Sequence, residues 1–383
     1  MKFKSLVWVI VGGLLVAPVR AETWVTVFVK RGFVGDYEAK WAGGTDVSLR
    51  IPVPVMAGGE RVRVWLESSR TAPVSLGRLS LVKGANREGA ISPPSHPVTF
   101  QGQASLEIPP KSEAVCSDEV AMPITPGLWY LQQSYGSPRY LYAYDSNGCW
   151  SVPGAGAHDE PAPGTHRTAY PGNVTRIDLL TREAPPVLVC YGDSITQGYA
   201  STPNTGHRYP ELLGTLLGQP VLNYGVNGDQ VRYGRGAPGM IRKLNGVTEV
   251  VFLMGINDLM TGSLKDLDAY RRAIAEVTGP LAKDGVRVYL GTLPPGTGYK
   301  RFDESPAHET LRQEINAWIR SGPENVAAVI DFDAALRDPD APEKMRADYQ
   351  ADWLHPNDAG YQAMAACAEG VIRAARARAG GNP

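Results

Sequence analysis

The chain has 383 residues, of which 43% are hydrophobic and 20% charged, and its 38 basic side chains nearly balance its 39 acidic ones. This composition is typical of a globular protein and excludes a disordered chain. The balanced charge gives no reason to expect binding to nucleic acid, which requires clustered Lys and Arg. The length favours two domains, each able to bury its own core.

The N-terminal segment 1–21 is predicted to be a signal peptide. Two lysines precede an apolar run from Leu6 to Val16, and small residues around Ala21 suit a cleavage site. The alternative is an uncleaved membrane anchor, but the run is shorter than the ~18 apolar residues that a spanning helix needs. We therefore expect a secreted or periplasmic protein with no stable membrane insertion.

Residues 22–183 are predicted to form an N-terminal β-sandwich domain of jelly-roll-like type, because short alternating runs are separated there by Gly and Pro. In the run Arg61–Leu66, the side chains of Val62, Val64 and Leu66 share one face, as a half-buried strand requires. Further strands are predicted at 74–82, 98–100, 105–108, 129–132, 140–144 and 175–180, and a long loop at 152–173.

Two of the four cysteines, Cys116 and Cys149, lie in this region. An exported chain permits disulfides, so these two are candidates for a bond to each other. Two separate thiols remain the equally weighted alternative.

Residues 184–383 are predicted to form an α/β domain with a five-stranded parallel sheet, because apolar runs alternate there with amphipathic segments. Functional groups of such sheets gather at the carboxyl ends of the strands. The predicted strands are 187–191, 221–224, 250–254, 286–290 and 326–330, and the predicted helices are about 264–283, 307–320 and 358–378.

A candidate nucleophile, Ser194, follows the first of these strands within the run Gly192–Gly198. The flanking glycines permit a close backbone approach, and the Ser194 amide is a candidate donor to an oxyanion. The alternative is a serine that only caps a helix.

Two further polar loops follow the second and third strands and contain Gly228 and Asn257. The amide of Gly228 and the carboxamide of Asn257 would complete an oxyanion hole beside Ser194. The alternative is ordinary turn chemistry, which also favours Gly and Asn.

A candidate base, His355, lies three residues after Asp352 and just before the last predicted helix. In a helix-like turn, residues at this spacing project the same way, so the carboxylate can orient the imidazole towards the serine. Taken alone, such a pair is more often a surface ion pair or a satisfied core histidine.

The order of these four signals along the chain resembles the SGNH (GDSL-type) hydrolases, whose four blocks carry Ser, Gly, Asn and His. The resemblance covers about residues 187–379 and implies a three-layer flavodoxin-like fold with no metal or organic cofactor. It identifies Ser194 as nucleophile, His355 and Asp352 as the base and its partner, and Gly228 and Asn257 as oxyanion donors.

We therefore expect a secreted serine esterase that hydrolyses short-chain carboxylic esters, with acetyl groups on a polysaccharide as the favoured substrate. One alternative is a cell-envelope polysaccharide O-acyltransferase with the same triad. A second alternative is a carbohydrate-binding protein whose hydrolase domain is inactive.

Overall fold

The computed structural model describes residues 21–30, 47–68, 73–135, 149–153, 166–168 and 173–380. Residues 1–20 of the predicted signal peptide and the predicted strand at 140–144 lie outside these ranges. Within the described part of the chain, none of the helices combines the length and the apolar character that crossing a membrane requires.

The N-terminal half is built from antiparallel strands, which confirms the predicted β-rich region. In chain order the strands are β1 (Thr23–Val29), β2 (Val47–Val55), β3 (Gly59–Leu66), β4 (Val74–Leu76), β5 (Arg78–Gly84), β6 (Ile91–Val98), β7 (Leu106–Ile108), β8 (Val115–Cys116), β9 (Val120–Ile124), β10 (Gly127–Tyr135), β11 (Cys149–Pro153), β12 (His166–Thr168) and β13 (Val174–Thr181). One sheet has the order β1-β13-β3-β8, with β9 also on β3, and the other has the order β12-β11-β2-β10-β5-β6. Strands β4 and β7 pair separately.

The alternation of apolar and polar residues decides which face of a strand is buried. In β3, Val62, Val64 and Leu66 are fully buried, as predicted. The predicted strand at 74–82 is divided at Gly77 into β4 and β5, and β12 lies within the segment predicted to be a loop.

The sequence pattern missed several strands of this half, among them β1. It pairs with β13 from Thr23–Thr181 to Val29–Arg176, so two segments more than 140 residues apart lie side by side. Such a pairing leaves no local signal in the sequence, because it depends on distant segments meeting.

The structure does not support the proposed disulfide between Cys116 and Cys149, which are not bonded to each other. Cys116 lies opposite Trp65 in the sheet of β3, whereas Cys149 lies opposite Thr168 in the other sheet. A disulfide requires two Cα atoms within about 7 Å of each other, with their side chains directed towards one another. Burial raises the pKa of both thiols.

The C-terminal half contains the predicted five-stranded parallel sheet, in the order β15-β14-β16-β17-β18. Its strands are β14 (Val187–Gly192), β15 (Val221–Gly225), β16 (Val247–Leu253), β17 (Arg287–Gly291) and β18 (Ala328–Ile330). Strand β14 lies in the interior of the sheet, between β15 and β16, and is fully buried, which explains its continuous apolar sequence.

Helices form the two outer layers of this half, since they pack in two groups. They are α1 (Ser194–Gln197), α2 (Tyr209–Leu217), α3 (Val231–Gly234), α4 (Ala237–Ile241), α5 (Ile256–Thr261), α6 (Leu267–Lys283), α7 (Pro306–Arg320), α8 (Phe332–Leu336) and α9 (Asp358–Gly380). Helices α2 and α8 pack on α9, whereas α3, α4 and α7 pack on α6.

The two halves are joined by hydrogen bonds between β1, β13 and the segment before β16. The Thr26 amide donates to the Asn245 carbonyl (3.0 Å), and the Asn245 amide donates to the Thr26 hydroxyl (2.8 Å). The same hydroxyl donates to buried Asp178 (2.8 Å), and Arg176 donates to the Lys243 carbonyl. These contacts fix β1 and β13 against the segment that leads into β16.

Candidate active site

Ser194 is the first residue of α1 and follows β14 after a sharp turn. The carboxylate of Asp193 caps this helix by accepting a hydrogen bond from the Ile195 amide (3.0 Å). A Cβ atom at Gly192 would lie 2.1 Å from the hydroxyl of Thr196, so only glycine fits there. The turn thus holds the Ser194 side chain at the carboxyl end of the sheet, where it is 3% exposed.

The side chains of Ser194, His355 and Asp352 form one hydrogen-bonded chain. The Ser194 hydroxyl lies 2.9 Å from His355 Nε2, and His355 Nδ1 lies 2.8 Å from Asp352 Oδ2. A carboxylate accepts the Nδ1 proton, which leaves Nε2 to accept the hydroxyl proton. The structure therefore brings together the three residues that the sequence pattern selected.

The turn that carries Asp352 and His355 differs from the helix-like turn expected from their spacing. The intervening Trp353 has φ 69°, in the left-handed region. Asp352 Oδ1 accepts the amides of Leu354 (3.1 Å) and His355 (2.7 Å), which closes the turn. Burial alone would raise the pKa of Asp352, but these bonds and the one from the imidazole outweigh it and lower that pKa.

The loops of Gly228 and Asn257 meet beside the serine turn. Asn257 Nδ2 donates to the Asp229 carbonyl (3.0 Å), so one N–H of the carboxamide fixes its orientation and a second N–H remains to donate. The Val226 amide donates to the Gly192 carbonyl (3.0 Å), which ties the Gly228 loop to the serine turn. Gly228 is exposed with φ 76°, and a Cβ there would meet open space, so the backbone conformation is what favours glycine.

Three acidic residues gather around this end of the sheet. Burial raises the pKa of Asp193 to about 7; the Ile195 amide opposes this shift, and the charges of Asp229 and Asp258 add to it. Burial also raises the pKa of Asp258, although it accepts the Val231 amide (2.9 Å). The site thus contains buried carboxyl groups that are costly to ionise.

The sequence reasoning missed two tyrosines that flank the imidazole. The ring of Tyr199 lies 4.5 Å from that of His355 between centroids, and the ring of Tyr299 lies 6.3 Å away and edge-on. Tyr199 lies only five residues after Ser194, which is the one sequence signal that points to it. Tyr299 lies in the loop after β17 and has no comparable signal.

A further missed residue, Asp358, links the loop after α1 to the start of α9. Its carboxylate accepts the amide (2.7 Å) and the hydroxyl (2.6 Å) of Thr202 and lies 2.8 Å from His207 Nδ1. The loop that carries Tyr199 is therefore tied to the segment that directly follows His355.

Within the described residues, no group of three or more His, Cys, Asp or Glu side chains is arranged to hold a metal ion. The imidazole of His355 is engaged by Asp352 and Ser194 instead. The arrangement can accept a proton from a hydroxyl and present donors to a developing oxyanion, which is the chemistry of acyl transfer.

Residues 190–363 match the model of the GDSL-like Lipase/Acylhydrolase family. No curated protein matches this chain.

Three solved structures are similar to about half of this chain. A member of the lipolytic protein G-D-S-L family from Veillonella parvula is 21% identical, with a TM-score of 0.39, and the match covers 49% of this chain and 98% of that one. A carbohydrate acetylesterase family member from Sinorhizobium meliloti is 17% identical, with a TM-score of 0.41 and coverages of 50% and 98%. The aryl esterase of M. smegmatis is 13% identical, with a TM-score of 0.42 and coverages of 49% and 99%.

Proposed function

We propose that the chain is a serine ester hydrolase that works through a Ser194–His355–Asp352 acyl-enzyme mechanism, because residues 190–363 match the model of the GDSL-like lipases and acylhydrolases. The observation that carries this proposal is the continuous chain of hydrogen bonds from the Ser194 hydroxyl through the imidazole to Asp352. Such a relay activates a hydroxyl that is otherwise a weak nucleophile.

In the first half of the reaction, Ser194 Oγ attacks the ester carbonyl carbon while its proton passes to His355 Nε2. The carbonyl oxygen becomes an oxyanion, which accepts hydrogen bonds from the amides of Ser194 and Gly228 and the carboxamide of Asn257. The bond to the alcohol oxygen then breaks, and His355 returns the proton to the leaving alcohol. Ser194 is left acylated.

In the second half, water replaces the alcohol. His355 takes a proton from the water as its oxygen attacks the acyl carbon, and the same three donors hold the second oxyanion. The proton returns to Ser194 Oγ as the acid leaves, so the enzyme is restored. Asp352, whose pKa is lowered, stays ionised throughout and stabilises the imidazolium in both halves.

We propose short acyl groups, with acetyl groups on a carbohydrate as the favoured substrate. The nearly complete burial of Ser194 and His355, 3% and 7% exposed, supports a small acyl group, since little space surrounds the reacting atoms. The leader-like N-terminus and the β-rich N-terminal half support export to the cell exterior or periplasm and action on an extracellular polymer.

The mechanism is tested with Ser194→Ala and p-nitrophenyl esters of increasing chain length. We expect the wild type to prefer the acetyl ester and the variant to lose activity by roughly 10⁴-fold or more, because the nucleophile is gone. Ser321→Ala is the matched control: this exposed hydroxyl donates to the Trp318 carbonyl at the end of α7, and its loss should leave turnover unchanged. Full activity in Ser194→Ala would exclude the mechanism.

The substrate is tested by measuring acetate release from acetylated xylan, pectin and peptidoglycan. Release from one polymer at a rate above that from p-nitrophenyl acetate would support the carbohydrate assignment. Transfer of the acyl group to an added sugar, with no free acid formed, would instead show a transferase. A wild type that releases acid from small esters alone would remove the carbohydrate part of the proposal.

A further inference from the structure

Tyr199 is held beside the imidazole of His355 by its backbone. Its amide donates to the Ser194 carbonyl (2.9 Å), and its carbonyl accepts the hydroxyl of buried Tyr361 (2.7 Å). The preceding Gly198 and the following Ala200 both have positive φ, so the chain turns sharply on either side of it. This segment fixes the Tyr199 ring relative to the serine turn.

Burial does not account for the position of this ring. The side chain is 37% exposed, among the most exposed of the large hydrophobic residues in the described part of the chain. Its ring is nonetheless only 4.5 Å from the imidazole, at an angle of 51°. The backbone therefore holds an exposed aromatic side chain against one polar ring. This placement suggests that Tyr199 acts on the imidazole.

We infer that Tyr199 is a positioning residue, whose ring holds the His355 imidazole in place and stabilises the positive charge that the imidazole gains when it takes the Ser194 proton. The inference rests on the proposed function. A cation within about 6 Å of an aromatic centroid is attracted by the negative face of the ring. Tyr199 meets this distance, whereas Tyr299, at 6.3 Å and edge-on, does not.

Within the described part of the chain, hydrogen bonds and ring contacts join the imidazole to four side chains. Asp352 is hydrogen-bonded to Nδ1, the Ser194 hydroxyl lies at Nε2, and the rings of Tyr199 and Tyr299 flank the imidazole. The nearby Asp358, at the start of α9, is engaged by Thr202 and His207 instead. Replacing Tyr199 therefore changes one contact and leaves the carboxylate partner in place.

The test compares Tyr199→Phe with Tyr199→Leu. Both lack the hydroxyl, but only phenylalanine keeps an aromatic face. In Tyr199→Leu we expect the acidic limb of the kcat/KM profile to move down by ~0.5 to 1 pH unit and kcat to fall ~5- to 20-fold, because the imidazolium loses a stabilising contact. KM should change less than about twofold, and Tyr199→Phe should match the wild type on all three measures.

A second readout does not depend on activity. The imidazole signal that disappears in His355→Gln is titrated by NMR in the wild type and both variants, and its midpoint should fall in the leucine variant alone. Tyr233→Leu is the control, since that exposed ring lies against Arg232. Tyr199→Met is a second non-aromatic replacement should the leucine variant fail to fold.

Several results would overturn the inference. An unchanged NMR midpoint in the non-aromatic variants would exclude an effect on the imidazolium. An equal shift in Tyr199→Phe would assign the effect to the hydroxyl, and a raised KM with unchanged kcat would assign the ring to substrate binding. A wild type without esterase activity would end the proposed function, whereas the NMR comparison would still decide this inference.

Discussion

At the carboxyl end of the parallel sheet Asp193 is buried beside two other acids, whereas towards the amino end Glu249 is buried between two arginines. Burial and the charges of Asp229 and Asp258 raise the pKa of Asp193 to about 7, although the Ile195 amide opposes this shift. The carboxyl end therefore carries an electrostatic cost near neutral pH.

The negative charge of Glu249, near the amino end of the sheet, is balanced by its neighbours. Glu249 is fully buried, and its carboxylate accepts hydrogen bonds from Tyr289 (2.8 Å) and Arg376 and lies 2.9 Å from Arg287. Burial alone would raise the pKa of Glu249, but these partners outweigh it and lower that pKa. Because Arg376 belongs to α9, the contact also ties the last helix to the sheet.

The difference indicates that one end of the sheet contributes stability and the other contributes chemistry. Unbalanced, desolvated carboxyl groups are typical of functional sites, where stability is given up for a reactive environment. Fully paired buried charges are typical of structural contacts. Three substitutions test this division.

The largest effect on stability is expected for Glu249→Gln. Removing this charge leaves Arg376 and Arg287 without their partner, so the free energy of unfolding should fall by about 3 kcal/mol. Turnover per folded molecule should not change. The measurement is denaturant unfolding alongside an active-site titration, with Glu119→Gln as control, because its ion pair with Arg61 is exposed and contributes less than ~1 kcal/mol.

The pH dependence of Glu249 gives a further check. A lowered pKa means that its contribution is present above the ordinary glutamate pKa and is lost as pH falls through the folded-state value. The difference in stability between the wild type and Glu249→Gln should therefore shrink in acid. A difference that grows as the pH falls would contradict the paired role.

The second effect is expected for Asn257→Ala, at the carboxyl end. Removing one oxyanion donor should lower kcat by roughly 10²- to 10³-fold, with little change in KM or in stability. Steady-state kinetics on p-nitrophenyl acetate measures this. Asn86→Ala is the control, since that side chain accepts the amides of Glu88 and Ala90 in a turn of the N-terminal half. An unchanged kcat in Asn257→Ala would remove this residue from the oxyanion hole.

The smallest effect is expected for Asp193→Asn, which keeps the helix cap and removes the charge. The folded-state pKa of Asp193 is raised to about 7. Between about pH 4 and 7, the folded chain therefore keeps a proton that the unfolded chain has lost. The stability of the wild type falls as pH rises through this window. The variant should therefore gain on the order of 2 kcal/mol relative to the wild type between pH 5 and 8. Denaturant unfolding of the wild type and the variant, measured at pH 5 and at pH 8, would test this. The same difference in stability between the two proteins at both pH values would refute it.

Most of the parallel sheet was predictable, because its strands are continuous apolar runs with buried side chains on both faces. The strands of the β-rich half were less predictable. Strand β1 was missed, and the run at 74–82 proved to be two strands, since pairing and register depend on partners far along the chain. Cysteine spacing likewise left a disulfide and two separate thiols open for Cys116 and Cys149, because it does not reveal which sheet each residue joins.

The catalytic candidates were also accessible from local pattern, since Ser194, Gly228, Asn257 and His355 each stand at a recognisable place relative to a strand or helix. The contacts that these residues make could not be predicted from the sequence. No sequence signal was strong enough to predict the left-handed Trp353, the ring of Tyr199 beside the imidazole, or the hydrogen bonds from Thr202 to Asp358.

Residue types and their periodicity were enough to assign the order of strands and helices, and with it the edge where reactive groups would gather, because burial of apolar faces is a local property. Only the tertiary structure determined which atoms are in contact. The serine and the imidazole are 161 residues apart, and their 2.9 Å contact depends on how every loop between them closes. The charge balance at each end of the sheet likewise depends on which helix is packed there.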